Sequence, residues 1–71
     1  MSEVHEHDRV ELMAAAGAWP AGTRGHVVSL YPNGMTMVEV DGAAERPSAF
    51  DSLVDVPAAE LRVLTRAVVD H

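Results

Sequence analysis

The residues best placed to do chemistry in this sequence are the cluster His5-Glu6-His7-Asp8 near its start. Imidazole and carboxylate groups are ligands for Zn²⁺, Ni²⁺ and Cu²⁺. In an extended segment alternate residues point the same way, so His5 and His7 can chelate one ion. A stable site needs three or four fixed ligands, however, and nothing in the sequence brings His26 or His71 to this cluster. We favour a solvated leader over a metal site and expect no cofactor.

The usual catalytic arrangements are missing from the sequence. It contains no cysteine, and no spacing places Ser29, Ser48 or Ser52 beside a histidine base and an orienting carboxylate. The glycines between residues 17 and 25 are not followed by the lysine of a phosphate-binding loop. A chain of 71 residues also offers little pocket volume. These features predict a protein that is not an enzyme.

The charge balance is acidic, with 11 Asp and Glu residues against five arginines and a net charge of −6. Binding to nucleic acid or to an anionic membrane depends on neutralising phosphates with Lys and Arg, so we expect neither. No stretch approaches the roughly 18–20 apolar residues that span a bilayer, and the polar, acidic start is not that of a signal peptide. We therefore expect a cytoplasmic protein.

Four large side chains are the candidates for contact with a partner: Trp19, Tyr31, Met35 and Met37. Tryptophan is favoured at interface hot spots; the alternative is that Trp19 folds over one end of the domain. The two methionines alternate along one strand, with Leu53 expected on the same side. They either fill the core or are ordinary surface residues without a binding role. The alternative is that they form an exposed apolar patch for self-association or for binding another protein.

Five carboxylates are expected around the third and fourth strands: Glu39, Asp41, Glu45, Asp51 and Asp55. Such charges usually only keep a surface solvated. The alternative is a negative patch that attracts a basic partner and accelerates association by electrostatic steering.

Alternation of apolar and polar residues predicts five short strands, which are Asp8–Met13, Arg24–Leu30, Met35–Val40, Phe50–Val56 and Leu61–Leu64. Between the first two, Gly17, Pro20 and Gly22 follow each other too closely for a helix, which predicts a long loop. Tyr31-Pro32-Asn33-Gly34 is a turn sequence, and Pro57-Ala58-Ala59-Glu60 predicts a single helical or 3₁₀ turn. Gly25 is expected to start the second strand in a conformation that only glycine tolerates.

The glycines and apolar residues of these elements resemble a known family. Gly25-His26-Val27-Val28 followed by Val38-Glu39-Val40 is similar to a KOW-type element, and the run from Asp8 to Leu64 resembles a bacterial family of small KOW- or SH3-like barrels of unassigned function. The resemblance implies an all-β, five-stranded SH3-like barrel with a short 3₁₀ turn before the last strand. The chain departs from it in the Ala- and Glu-rich loop Asp41–Ser48 and in lacking the lysines usual in nucleic-acid-binding KOW domains.

The predicted organisation is a disordered leader at residues 1–7, an SH3-like barrel at residues 8–65 and a C-terminal tail at residues 66–71. The predicted function is non-enzymatic: an acidic barrel that binds an unidentified protein partner or itself, with a neutralising or accessory role open. The alternatives are a KOW-type nucleic-acid-associated module, which the charge opposes, and an accessory subunit of a metalloenzyme.

Overall fold

The computed structural model describes residues 4–42 and 52–66. Their strands are β1 (Arg9–Leu12), β2 (Arg24–Leu30), β3 (Met35–Val40), β4 (Leu53–Pro57) and β5 (Leu61–Thr65), with a 3₁₀ turn at Ala58–Glu60 between the last two. The predictions of an all-β fold, of five strands and of a 3₁₀ turn before the last strand are confirmed. The bounds of β2 and β3 agree with the prediction to the residue.

The fourth strand differs most from its predicted bounds. Ser52 lies in a bend, and β4 starts at Leu53 and continues through Pro57. Pro57 is paired with Met35 of β3. Because β4 lies at the edge of the sheet, a residue without an N–H is tolerated there. The predicted start at Phe50 lies outside the described residues, as do Glu45, Ser48, Asp51 and His71.

The strand order is β4-β3-β2-β1-β5, and every neighbouring pair is antiparallel. The two edge strands are nevertheless separated in sequence only by Ala58–Glu60. In a flat sheet they would lie about 19 Å apart, four spacings of about 4.8 Å, whereas three 3₁₀ residues rise only about 6 Å. The sheet must therefore curl until its two edges approach each other at this end.

The 3₁₀ turn is held from both sides. The Ala58 N–H donates to the Gly34 carbonyl in the β2–β3 turn, and the Glu60 carbonyl accepts from the Met13 N–H after β1, both at 2.9 Å. Register shifts in the β2–β3 and β1–β5 ladders add local twist. Within residues 4–42 and 52–66 no ladder joins β4 to β5, so the structure shows a curled sheet and not a ring closed by hydrogen bonds.

The core lies on the concave face of the sheet. It consists of eight apolar side chains that are each less than 5% exposed: Val10, Leu12, Trp19, Val27, Val38, Val40, Val56 and Leu61. Thr36 is also buried there, and its hydroxyl donates to the Val56 carbonyl at 2.8 Å. On β3 the buried residues Thr36, Val38 and Val40 alternate with half-buried or exposed ones, so that these three side chains face the core.

Part of the predicted leader is described, from Val4 to His7. Val4 is partly buried against the core. The His7 N–H donates to the Val27 carbonyl at 2.7 Å, and the Asp8 carbonyl accepts from the Val27 N–H at 3.0 Å. The backbone of His7 and Asp8 is thus bonded to β2 at Val27. None of the described segments is a helix long and apolar enough to cross a membrane.

Candidate functional site

The convex side of β3 and β4 carries the two methionines singled out in the sequence. Met35 lies opposite Pro57 and Met37 lies opposite Asp55, while Glu39 lies opposite Leu53. Directly opposed residues of an antiparallel pair point to the same face of the sheet. All six side chains therefore project from the side opposite the core. Met35, Met37 and Leu53 share one side of the sheet, as predicted, and the methionines are not part of the core.

Tyr31 joins this face from the β2–β3 turn. Its N–H donates to the Met35 carbonyl at 2.9 Å, and its hydroxyl donates to Asp55 Oδ1 at 3.5 Å. The phenol therefore reaches over β3 to β4. Partial desolvation, together with the Asp55 carboxylate, raises the pKa of Tyr31 above its ordinary value of 10.0, so the hydroxyl remains a hydrogen-bond donor at neutral pH.

We call this surface the β3–β4 face and define it by seven residues: Tyr31, Met35, Met37, Glu39, Leu53, Asp55 and Pro57. Leu53 is 47% exposed, and Tyr31 and both methionines are half-buried. Val28 of β2 is also exposed; it precedes Ser29, the β2 residue opposite Met37. Contiguous apolar surface of this kind marks interaction sites in folded proteins.

Trp19, the fourth partner-contact candidate, lies elsewhere. Its side chain is only 3% exposed and belongs to the core. Ala16 and Trp19 exchange backbone hydrogen bonds of 2.9 Å in both directions, which positions the indole from within the long loop. The structure thus brings Tyr31, Met35 and Met37 together on one surface and places Trp19 beneath the sheet, where it offers almost no area to a partner.

Positive charge lies on the other half of the sheet. Each arginine of the described residues has a carboxylate within 4.0 Å, and the pairs are Arg9–Asp41, Arg24–Glu11, Arg62–Glu11 and Arg66–Asp8. The Arg9–Asp41 pair is bidentate, with Nη1 3.0 Å from Oδ1 and Nη2 2.6 Å from Oδ2. The arginine side chains on this half of the sheet are therefore already paired with carboxylates of the same protein.

The two carboxylates of the β3–β4 face have a different environment. Asp55 accepts a hydrogen bond from the Tyr31 hydroxyl, and Glu39 Oε1 lies 3.3 Å from His26 Nε2. That contact is ionic only while the imidazole is protonated. Among the arginines of the described residues, none pairs with Glu39 or Asp55. The face is consequently apolar and negatively charged.

The Arg9–Asp41 pair should make stability depend on pH. The hydrogen bonds from Arg9 hold the pKa of Asp41 below its ordinary value of 3.8, so the stabilisation is present above that value and is lost as pH falls through the lower, folded value. Both side chains are more than two-fifths exposed, which limits the pair to roughly 0.2–1 kcal/mol.

We expect Asp41→Asn to lower the thermal midpoint at pH 7 and to have progressively less effect as pH approaches 3. Thermal unfolding of both proteins across this range measures the difference. Asp55→Asn is the matched control, because no arginine of the described chain contacts Asp55, and it should change the midpoint little at any pH. A difference for Asp41→Asn that stays constant down to acid pH would contradict the role of this ion pair.

The histidine cluster at the start of the chain does not form a metal centre in the structure. In residues 4–42 and 52–66 no three His, Asp or Glu side chains are grouped to hold an ion. Asp8 is 1% exposed, and its Oδ2 accepts from the His5 N–H at 2.9 Å and from Arg66 Nη1 at 3.3 Å. The same guanidinium lies 3.2 Å from His5 Nδ1, where its positive charge opposes a second cation.

Fold and site together define a small all-β domain with a curled five-stranded sheet, an apolar concave core and an acidic, apolar convex face. Comparisons with known proteins found no match: no family model fits the chain, and no curated protein or solved structure is significantly similar to it. What can be inferred about function therefore depends on the residues of the β3–β4 face.

Proposed function

We propose that this chain is a non-enzymatic interaction module that binds another protein molecule through the β3–β4 face. The observation that carries the proposal is the cluster of Tyr31, Met35, Met37 and Leu53 on the side of the sheet opposite a complete core. These side chains add nothing to the eight-residue core, and methionines suit a surface that must adapt to a partner.

We further propose that the curled sheet is an SH3-like barrel of the KOW type. Two features support this: five strands follow one another around the sheet, and a 3₁₀ turn of three residues connects its two edge strands. Such a barrel presents the convex faces of its strands to solvent. This gives the β3–β4 face a rigid support, because both strands are paired along their length.

The arrangement of charge counts against the nucleic-acid alternative. Phosphate binding needs Lys or Arg side chains that are free to replace counterions. The four arginines in the described part of the chain each contact a carboxylate, and using them for phosphate would break those pairs. The acidic β3–β4 face would in addition repel a phosphate backbone.

The proposal is tested by placing a charge at the centre of the face. We expect Met37→Glu to abolish association, because the carboxylate that replaces the apolar Met37 side chain must be desolvated on binding. Met13→Glu is the matched control: Met13 is 54% exposed and lies after β1, outside the face. Sedimentation velocity measures self-association, and capture from a lysate of the native host, compared among the three proteins, measures binding to others.

Wild type and Met13→Glu should associate equally, while Met37→Glu should remain monomeric and capture nothing. Circular dichroism should show the same β-rich spectrum for all three. A wild-type protein that stays monomeric and captures no protein would overturn the proposal, as would association that Met37→Glu leaves intact.

A further inference from the structure

We infer that the partner of the β3–β4 face is a basic, amphipathic segment of another protein, in which lysine or arginine side chains are interspersed with apolar ones. This inference rests on the proposed function and specifies the chemistry of its ligand. It concerns the four-residue group at the centre of the face, in which two acidic and two apolar residues are neighbours across β3 and β4.

This group consists of two cross-strand pairs, Glu39 opposite Leu53 and Met37 opposite Asp55. Each acidic residue therefore has an apolar residue directly across from it, and the two carboxylates occupy one diagonal of the group. Diagonal positions on neighbouring strands are about 7–8 Å apart. The result is an alternating pattern of charge and apolar surface in both directions.

A lysine or arginine side chain matches this pattern because it combines an aliphatic stem with a cationic end. A stem lying over Met37 brings its charge to Asp55, and one lying over Leu53 brings its charge to Glu39. A purely apolar ligand would instead desolvate both carboxylates, leaving Asp55 with only the Tyr31 hydroxyl and Glu39 with only His26, which is costly. A purely polar basic ligand would leave Met37 and Leu53 in water.

The distribution of charge over the sheet supports the same conclusion. The arginines of β1, β2 and β5 are satisfied by Glu11 and Asp41 within the same chain, while Glu39 and Asp55 have no arginine among the described residues. The chain as a whole carries a net charge of −6, so its field attracts a basic segment from a distance and raises the association rate.

A second copy of this chain fits the surface less well. In a twofold-symmetric contact the same patch meets itself, which would bring Glu39 and Asp55 of one copy close to the same carboxylates of the other. Like charges in close contact across an interface are unfavourable. Dimerisation through this face is accordingly the competing outcome that the experiment must distinguish.

The experiment uses the full chain, labelled with ¹⁵N, and three short synthetic peptides. One alternates arginine with leucine; in the second glutamate replaces arginine, and in the third serine replaces leucine. We expect the arginine–leucine peptide to shift the backbone amides of β3 and β4 in a titration that weakens with added salt. The other two peptides should bind at least about tenfold more weakly, since each lacks one half of the pattern.

Two double variants with the same change in net charge distinguish attraction of the peptide by the carboxylates of the β3–β4 face from attraction by the net charge of the whole protein. Glu39→Gln/Asp55→Asn removes the carboxylates of the face, and Glu6→Gln/Glu60→Gln removes two exposed carboxylates elsewhere; each takes the net charge from −6 to −4. We expect the first to weaken binding of the arginine–leucine peptide about tenfold and the second to weaken it less than about twofold.

Four results would overturn the inference. Equal weakening by both double variants would mean general charge attraction only. Equal binding of the glutamate–leucine peptide, or salt-insensitive dimerisation that Met37→Glu abolishes, would mean that the face binds apolar surface or a second copy; the proposed function would then stand while this inference fails. If Met37→Glu changes neither peptide binding nor association, both fail.

Discussion

Replacing Gly25 with valine is expected to destabilise the domain severely. A Cβ atom at this position would lie 2.3 Å from the Glu39 carbonyl oxygen and 3.1 Å from Val38 Cγ1. Because the closest atom belongs to the backbone of β3, neither a rotamer change nor a small side-chain movement relieves the contact. Overpacking of this kind costs about 1–3 kcal/mol and occasionally more, out of roughly 4–11 kcal/mol expected for the 71 residues.

The reason differs from the one that the sequence suggests. Gly25 was expected to need a conformation open only to glycine, yet it is not among the residues with positive φ. What requires glycine is the close approach of β3, on which Val40 is paired with Gly25. Alanine, which adds the Cβ alone, should therefore already cause most of the loss.

Urea unfolding followed by circular dichroism measures the effect, and each kcal/mol lost should lower the thermal midpoint by about 4–8 °C. Gly22→Ala is the matched control. Gly22 has φ of +92° with no atom within 4 Å of its would-be Cβ, so its cost is the left-handed backbone alone, about 1–2 kcal/mol. If the Gly25→Ala protein were as stable as the Gly22→Ala protein, or more stable, the proposed steric contact between residue 25 and the β3 backbone would be contradicted.

Local patterns account for the parts of the fold that the sequence predicts well. β2 follows from its β-branched pair Val27-Val28 and the adjoining Leu30, and β3 follows from alternating apolar residues after the Pro-Asn-Gly turn. The bounds of both strands agree with the structure. β4 is less regular, because the apolar Phe50 extends the pattern upstream and Pro57 is a residue that usually starts a turn. In fact Pro57 is a strand residue, which only its position at the sheet edge permits.

The candidate site combines local and long-range information. Alternation alone indicates that Met35 and Met37 share a face, but their position beside Asp55 and Pro57 depends on the register of β3 against β4. The ion pairs that engage the arginines join residues still further apart in the sequence. Arg9 and Asp41 are separated by 32 residues, and Glu11 and Arg62 by 51. Such pairs cannot be recognised before the strand order is known.

Trp19 illustrates an ambiguity that the sequence leaves open. A tryptophan next to proline in a long loop is compatible with an interface anchor and with a side chain that folds over the domain, since both uses depend on its large apolar area. Only the burial of the indole, 3% exposed, distinguishes them. The position of this side chain leads to the second large expected effect.

Trp19→Ala is expected to cost about 3–5 kcal/mol, the usual range for removing a buried aromatic side chain. The remaining core contains five valines and two leucines, and their short side chains cannot fill the space of an indole without backbone movement. The loss also frees the loop around Ala16 and Trp19, whose paired backbone hydrogen bonds are positioned by the buried ring. Subtracted from the roughly 4–11 kcal/mol expected for the domain, this loss leaves substantial unfolding near 37 °C at the lower end of that range.

Circular dichroism during urea unfolding measures this effect, with Met13→Ala as the control. Met13 is 54% exposed, and its truncation should change the free energy of unfolding by less than about 0.5 kcal/mol. Trp19→Phe, which keeps an aromatic ring in the core, should be clearly more stable than Trp19→Ala. Full stability of Trp19→Ala would show that the indole is not part of the core.

The same variant separates the two roles that a tryptophan can have in binding. If Trp19 acts through the core, Trp19→Ala loses partner binding only in proportion to the fraction unfolded, and conditions that refold it restore binding. Met37→Glu should behave in the opposite way, with binding lost while the unfolding free energy stays close to that of wild type. A folded Trp19→Ala protein that no longer binds would instead make Trp19 a contact residue, and the binding surface would have to extend beyond the β3–β4 face.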